Sequence, residues 1–260
     1  MKIKRKPFLP IESLPKETEN TIFLGKILDT DLNAYINYDS LVKHTFIIGA
    51  SGTGKSEAAM IISEECLKKG AAVIVFDPSG KWKYIKNSNV VKVSYSNLKV
   101  DILNKINAGK LTIFDISYLT ENDYNEFVKN SLEQMIFKSW ETVNRLKILL
   151  VFEDAYKLSP RFGEKAALML EKACREFRKF GIGIILITHS YSDFGPAVLG
   201  NVNTEIWFKT SQEQDLERIR KRFGSEYASS LVKLKIGECM IANIDYNYSK
   251  PWFVKIRKSN

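Results

Sequence analysis

The sequence predicts an α/β domain built on a mainly parallel central sheet with helices on both faces. Three observations predict it. Apolar strand-like runs alternate with helix-like stretches from His44 to the end of the chain. Those runs are apolar throughout, as in strands covered on both sides. The first of them leads into a glycine-rich turn that closes on Lys55-Ser56 and continues as helix. At 260 residues with 45% hydrophobic and 27% charged residues, the chain has the size and composition to bury one full core.

Taken in order, residues 1–20 are basic at the start and interrupted by prolines, which predicts an arm with little core of its own. IFLGKIL (22–28) and NAYINYD (33–39) flank the polar DTDL and predict a short strand pair over 21–43, leading into a nucleotide domain over 44–260. The core then reads as strand TFIIG, a helix from Lys55 to about Lys69, and strands AAVIVFD (71–77), VVKVSY (90–95) and LTIFDI (111–116). Thr120-x-x-Asp123 caps a long helix from about Glu121. Its Tyr124, Phe127, Val128, Leu132, Met135, Ile136 and Trp140 recur at helical spacing and predict core packing. Strand ILLVFED (148–154), a helix from about Pro160 to just before Gly181, and strand IGIILIT (182–188) follow. EIWFKT (205–210), a helix within QEQDLERIRKRF closed by Gly224, and strands ECMIAN and WFVKIR complete the chain.

Gly49-Ala50-Ser51-Gly52-Thr53-Gly54-Lys55-Ser56 matches G-x-x-x-x-G-K-[ST], with a strand before it and a helix after it. Glycines let the backbone curve closely around anionic oxygens, and the helix N-terminus adds unpaired N–H groups. Lys55 is placed to reach the β and γ phosphates of ATP, and Ser56 to join a Mg²⁺ shell. Three strands end in acid, at Asp77, Asp115 and Glu153-Asp154, and only the last supplies adjacent carboxylates. One carboxylate can hold Mg²⁺ while its neighbour deprotonates water, so Glu153 takes the metal side and Asp154 the base. Asp115 reads better as the cap of its following turn. His189, after the IGIILIT strand, stands where a γ-phosphate sensor would sit, although a lone histidine at a strand end is more often a solvated turn residue.

Net charge is +9, which fits a polyanionic partner and equally a lysine-rich solvated surface. Candidate phosphate-backbone contacts are Lys81 and Lys83, and Arg218, Arg220, Lys221 and Arg222 of the RIRKR cluster. Cys66, Cys174 and Cys239 lack metal-ligand spacing and predict packed, reduced thiols. No apolar run approaches the roughly 20 residues of a membrane span, so no membrane association and a cytoplasmic location are expected.

Together these pieces resemble the HerA/FtsK branch of P-loop ATPases, and most of all the HerA-type DNA translocase core. The resemblance runs from Ile22 to the C-terminus through FLGKILDTDLNAYINYD, His44, the phosphate loop, DPSGKW (77–82) and EDAYKLSP (153–160). It continues through RKFGIGIILITHS (178–190), NVNTEIWFKTS (201–211) with the following DLERI, and KLKIGECMIAN. It implies a RecA-like additional-strand ATPase domain and a homo-oligomeric, hexameric ring moving double-stranded DNA. It also implies sensor duty for His189 and an arginine finger toward a neighbouring subunit's ATP, Arg175 or Arg178, with Arg178 favoured. A nuclease or another mobile-element or packaging protein fits as partner.

The chain departs from that family at two places. It reads Glu-Asp-Ala-Tyr where the family usually has Asp-Glu or Glu-Glu before Ala-His, and His189-Ser190 where it usually has Gln, often before Arg. With about forty residues ahead of the loop, a minimal motor core is expected rather than one with a complete N-terminal β-barrel. A nucleotide-binding scaffold that does not turn over ATP is the alternative reading, and a small-molecule kinase a more distant one.

Overall fold

The computed structural model describes residues 14–246 and 250–259, so the start of the predicted N-terminal arm, residues 1–13, lies outside the described residues. Among the described residues one sheet of eleven strands forms, in the spatial order β2-β1-β11-β10-β9-β3-β8-β7-β4-β6-β5. The strands are β1 (Thr21–Ile27), β2 (Asn33–Asn37), β3 (Thr45–Ile48), β4 (Ala72–Asp77), β5 (Asn89–Lys92) and β6 (Leu111–Asp115). The second half adds β7 (Val143–Phe152), β8 (Phe180–Thr188), β9 (Thr204–Phe208), β10 (Glu238–Asn243) and β11 (Trp252–Ile256). From β9 across to β5 every neighbouring pair is parallel. Beyond β9 the pairing turns antiparallel through β10, β11, β1 and β2. The strand pair that precedes the phosphate loop in sequence is thus docked on the C-terminal strand at the far edge of the same sheet.

The helices are α1 (Lys55–Lys68), α2 (Glu121–Phe137), α3 (Glu164–Glu176), α4 (Pro196–Leu199), α5 (Glu213–Phe223) and α6 (Ser225–Val232). Because strand side chains alternate between faces, each central strand feeds two cores. Phe46, Ile48, Ile74 and Phe76 pack with Phe127, Leu132, Leu170 and Leu231 of α2, α3 and α6. Ile47, Val73 and Val75 pack on the other face with Ala59, Ile62 and Cys66 of α1 and with Ile22 and Trp252.

Local differences from the sequence reading have local causes. The helix expected to run almost to Gly181 stops at Glu176, a 3₁₀ turn takes Phe177–Lys179, and β8 begins at Phe180. Gly181 therefore lies inside a strand, with φ of 68°, where a Cβ would sit 2.3 Å from the Arg145 carbonyl oxygen. Only glycine allows β8 to pass β7 at the point where their register shifts between Val143 and Ile148. Arg175 therefore lies in the last turn of α3 and Arg178 in the 3₁₀ turn that follows it.

Candidate functional site

Strands β3, β8, β7, β4 and β6 are neighbours in one parallel array, so their carboxyl ends open onto one side of the sheet, where open α/β folds bind ligands. The loop 49–56 leaves β3 there and runs into α1. Gly49 has φ of 149°, and a Cβ on it would lie 2.7 Å from the Phe208 Cβ; Gly54 has φ of 116° and faces the Phe208 ring and Gly237. The Ala50 amide donates to the Lys209 carbonyl at 2.8 Å, and the Gly237 amide to the Thr53 carbonyl at 2.8 Å. The loop is thus braced from outside by the end of β9 and the turn before β10. Its own sequence gives no sign of that support.

Lys55 Nζ donates to the Gly49 and Ala50 carbonyls at 2.8 and 3.0 Å. Burial pulls the Lys55 ammonium below the ordinary lysine value, against the attraction of Glu153 and Asp154, which raises it. The Ser56 hydroxyl donates to Glu153 Oε1 at 2.7 Å. Glu153 Oε2 accepts the Trp82 indole N–H at 2.9 Å, and Lys81 Nζ stands 4.0 Å from Oε1. Burial pushes the Glu153 carboxyl up, while the Trp82 and Ser56 hydrogen bonds and then the Lys81 charge lower it and Asp154 raises it. A hydroxyl and a carboxylate at hydrogen-bond distance are hard oxygen donors of the type that Mg²⁺ takes, so the residues present fit that ion.

Asp154 sits in the left-handed region at φ 48°, ψ 45°, which turns the chain sharply after Glu153 and separates the two carboxylates in direction. His189 Nε2 is 3.7 Å from Asp154 Oδ1, and its Nδ1 is 3.5 Å from Lys55 Nζ. The imidazole therefore stands between the phosphate-loop lysine and the second acid. The turn that carries it is held from behind. Asp215 accepts from the Ser190 hydroxyl and the Tyr191 amide at 3.0 and 3.1 Å, and Asp193 accepts from Thr188.

Two residues without an assigned role complete the cleft. Asp77 accepts from the Ser79 amide and hydroxyl and from the Trp82 amide, at 3.0, 2.7 and 2.8 Å. That turn is what brings the fully buried Trp82 onto Glu153. The signal was present as DPSGKW, but a tryptophan there reads as packing until its N–H is seen to meet an acid. Asp115 caps its own turn through the Ser117 amide and hydroxyl at 3.2 and 2.6 Å.

The remaining candidates lie elsewhere. Arg175 and Arg178 border one cavity with Asp39, Lys43 and Asp245 at the amino end of β8. Phe180 to Thr188 is a strand's length of roughly 26 Å from the end that bears His189. The RIRKR cluster is largely engaged within the chain: Arg222 Nη1 meets Glu205 at 2.6 Å, Arg220 Nη1 meets Glu213 and Glu217 at 2.6 and 3.1 Å, and Arg218 stacks on Tyr191 at 3.6 Å. Lys221 Nζ lies 3.4 Å from Glu217. Lys81 stands beside Glu153, whereas Lys83 lies over the Tyr84 ring.

A family model described as the central domain of the helicase HerA matches residues 22–187. A Methanocaldococcus jannaschii protein named a probable DNA double-strand break repair helicase HerA is 33% identical over 127 residues, 47% of this chain and 25% of that protein. A Sulfolobus acidocaldarius protein named DNA double-strand break repair helicase HerA is 19% identical over a 364-residue alignment covering 96% of this chain and 73% of the other. The chain spans about a quarter of the length of the M. jannaschii relative and of a Sulfurisphaera tokodaii one. VirB4 of Thermoanaerobacter pseudethanolicus superposes with a TM-score of 0.71 at 14% identity, over 93% of this chain and 97% of that one. The genome packaging NTPase B204 of Sulfolobus turreted icosahedral virus 2, solved with ATP-gammaS, superposes with a TM-score of 0.56 at 18% identity, over 84% and 98%. At these identities the two structures share the fold.

Proposed function

The chain belongs to the family of the HerA helicase central domain, and from that premise we propose that it is an ATP-hydrolysing DNA translocase, a helicase or DNA-pumping motor working as a homo-oligomeric, hexameric ring on double-stranded DNA. The observation that carries this reading is the convergence of Lys55, Ser56, Glu153, Asp154 and His189 in one cleft at the ends of β3, β7 and β8. A phosphate-binding protein without turnover needs the loop; it has no use for a second acid and an imidazole linked to the loop lysine.

The backbone amides of the loop 49–56 and the N-terminus of α1 cradle the phosphates. Lys55 exchanges its two carbonyl partners for β and γ phosphate oxygens, and Ser56 and Glu153 are the residues that would hold Mg²⁺. When bound, that ion neutralises phosphate charge. Asp154 accepts the proton of the attacking water, and His189 orients toward the γ-phosphate from between Lys55 and Asp154. Arg178, or Arg175 beside it, reaches the ATP of an adjacent protomer and steadies the charge that develops in the transition state.

A DNA-stimulated ATPase assay tests the reading. Lys55→Ala is expected to weaken ATP binding and abolish turnover, and Asp154→Asn to keep ATP binding while losing turnover by at least about a hundredfold. Asp154→Asn hydrolysing at the parent rate removes Asp154 as base. A parent chain that binds ATP yet never turns it over, with or without duplex DNA, is a scaffold and not a motor.

A further inference from the structure

The last three strands on one side of the sheet, β4, β6 and the edge strand β5, end level with one another: Asp77 pairs with Asp115, and Asp115 with Lys92. Neighbouring strands lie about 4.8 Å apart, so the chain leaves the sheet at three points within roughly 10 Å. Beyond each point stands a tyrosine turned to solvent: Tyr84, at the end of the 3₁₀ turn Trp82–Tyr84 that follows β4, 79% exposed, Tyr95 after β5, 62%, and Tyr118 after β6, 71%. Large aromatic rings are seldom left outside a fold in such a group, and none of the three serves the cleft described above.

The chain around Tyr84 and Tyr95 is cationic, whereas Tyr118 is followed by Glu121 and Asp123 in the first turn of α2. From Pro78 to Val100 the sequence has five lysines, Lys81, Lys83, Lys86, Lys92 and Lys99, and no acidic residue. Lysines alone would be explained as guards of an exposed sheet edge. Guarding requires no aromatic rings, and an apolar protein surface would not call for this charge. Lys83 Nζ lies over the Tyr84 ring, 5.4 Å from its centre, on one face. The loop that holds it touches the β6 turn, with Gly80 packed toward Ser117, next to Tyr118.

We propose that this edge is a stacking platform for single-stranded DNA. Tyr84, Tyr95 and Tyr118 take unpaired bases against their faces, and the lysines meet the phosphates that run between those bases. The choice of single strand follows from the rings, because a base can stack on a side chain only when it is not stacked in a duplex. The choice of DNA over RNA rests on the motor reading above. The platform borders the hydrolytic cleft through one short path: Tyr84 follows Lys83 and Trp82, whose indole holds Glu153. A strand lying on the platform therefore bears on the segment that positions the metal-side acid.

The test is equilibrium binding of fluorescein-labelled oligothymidylate of about 20 nucleotides to the full chain, without nucleotide. Tyr84→Ala with Tyr118→Ala is expected to weaken binding about tenfold or more. An abasic strand of the same length should bind the parent as weakly as thymidylate binds the variant. Thymidylate binding unchanged in the variant, or abasic strand bound by the parent as tightly as thymidylate, overturns the platform, and tighter binding of oligouridylate than of thymidylate overturns its assignment to DNA. Sedimentation of the parent and variant is read in parallel: loss of self-association in the variant, with thymidylate affinity unaltered, makes the patch a contact between copies and sinks the proposal. Duplex-stimulated ATPase separates this inference from the motor reading. Stimulation with no tyrosine-dependent strand binding removes only the platform, and strand binding with no ATPase removes only the motor.

Discussion

Trp82 shows how much depends on a single N–H. Its indole is one of two donors to Glu153, and burial alone would push that carboxyl up. Trp82→Phe keeps the ring in the core and removes the donor. The acid limb of the ATPase pH profile should move to higher pH, because the ionised form of Glu153 loses a partner, and turnover near neutrality should fall at least about tenfold. An unshifted profile would mean that the indole only fills space. His44 carries the opposite charge logic. Its Nδ1 accepts from the Ile184 amide at 3.1 Å and its Nε2 meets the Cys174 carbonyl at 2.9 Å, an arrangement that fixes the neutral ring. Burial, aided by the Arg178 charge and opposed by the Cys174 carbonyl, pulls its pKa down to about 4. Between the ordinary value near 6.5 and that one, the unfolded chain binds a proton that the folded chain refuses, so acid favours unfolding. Stability is expected to be full above about pH 6.5 and to fall by on the order of 3 kcal/mol on the way to pH 4. Urea midpoints of the parent and of His44→Gln across that range measure it, and the variant should lack this part of the slope.

Helix α2 and strand β8 show two kinds of boundary. Thr120 Oγ1 accepts from the Asp123 amide at 3.3 Å, the cap that the Thr-x-x-Asp spacing predicts. Thr120→Ala should cost about 1 kcal/mol of stability, read as a lower urea midpoint with unchanged slope. β8 has at its second position a glycine, Gly181, with φ of 68°, where a Cβ would press against the Arg145 carbonyl. Gly181→Ala should cost more, roughly 2 kcal/mol or above, because it adds backbone strain to a steric clash. Equal losses in the two variants would show that β7 gives way at its register shift.

Across the whole molecule, the length of β8 separates the residues of the phosphate-loop cleft from Arg175 and Arg178. Arg178 lies at the amino end of β8 and His189 just past the carboxyl end, so an arginine there serves another protomer's nucleotide or none. Arg178→Ala should lose turnover by about a thousandfold alone, yet regain part of it when mixed with inactive Lys55→Ala, since one interface then has both an intact loop and an intact arginine. Mixed assemblies that stay inactive, or full activity of Arg178→Ala by itself, would remove the residue from this role. The net charge of +9 gives no map of contacts on its own, because the RIRKR arginines are held by Glu205, Glu213, Glu217 and Tyr191. Arg222→Ala is a case in point: its main effect should be on stability, through the charge of buried Glu205 left without its partner.

The sequence by itself determined the alternation of strands and helices, the phosphate loop, the adjacent acids and the α2 cap, because each rests on spacing within a few residues. Periodicity, glycine conformation and capping are local physics. Only the tertiary structure decided that the first strand pair closes onto the last strand, that β3 lies between β8 and β9, and that Trp82 turns its N–H to Glu153. Those facts depend on which strands pair, and residues such as Ser56 and Glu153 are 97 positions apart along the chain. The same holds for charge. Arg222 and Lys83 read alike in sequence, yet one is spent on a buried acid and the other rims an aromatic surface, since the partner that settles each is brought by the fold and not by its neighbours in the chain.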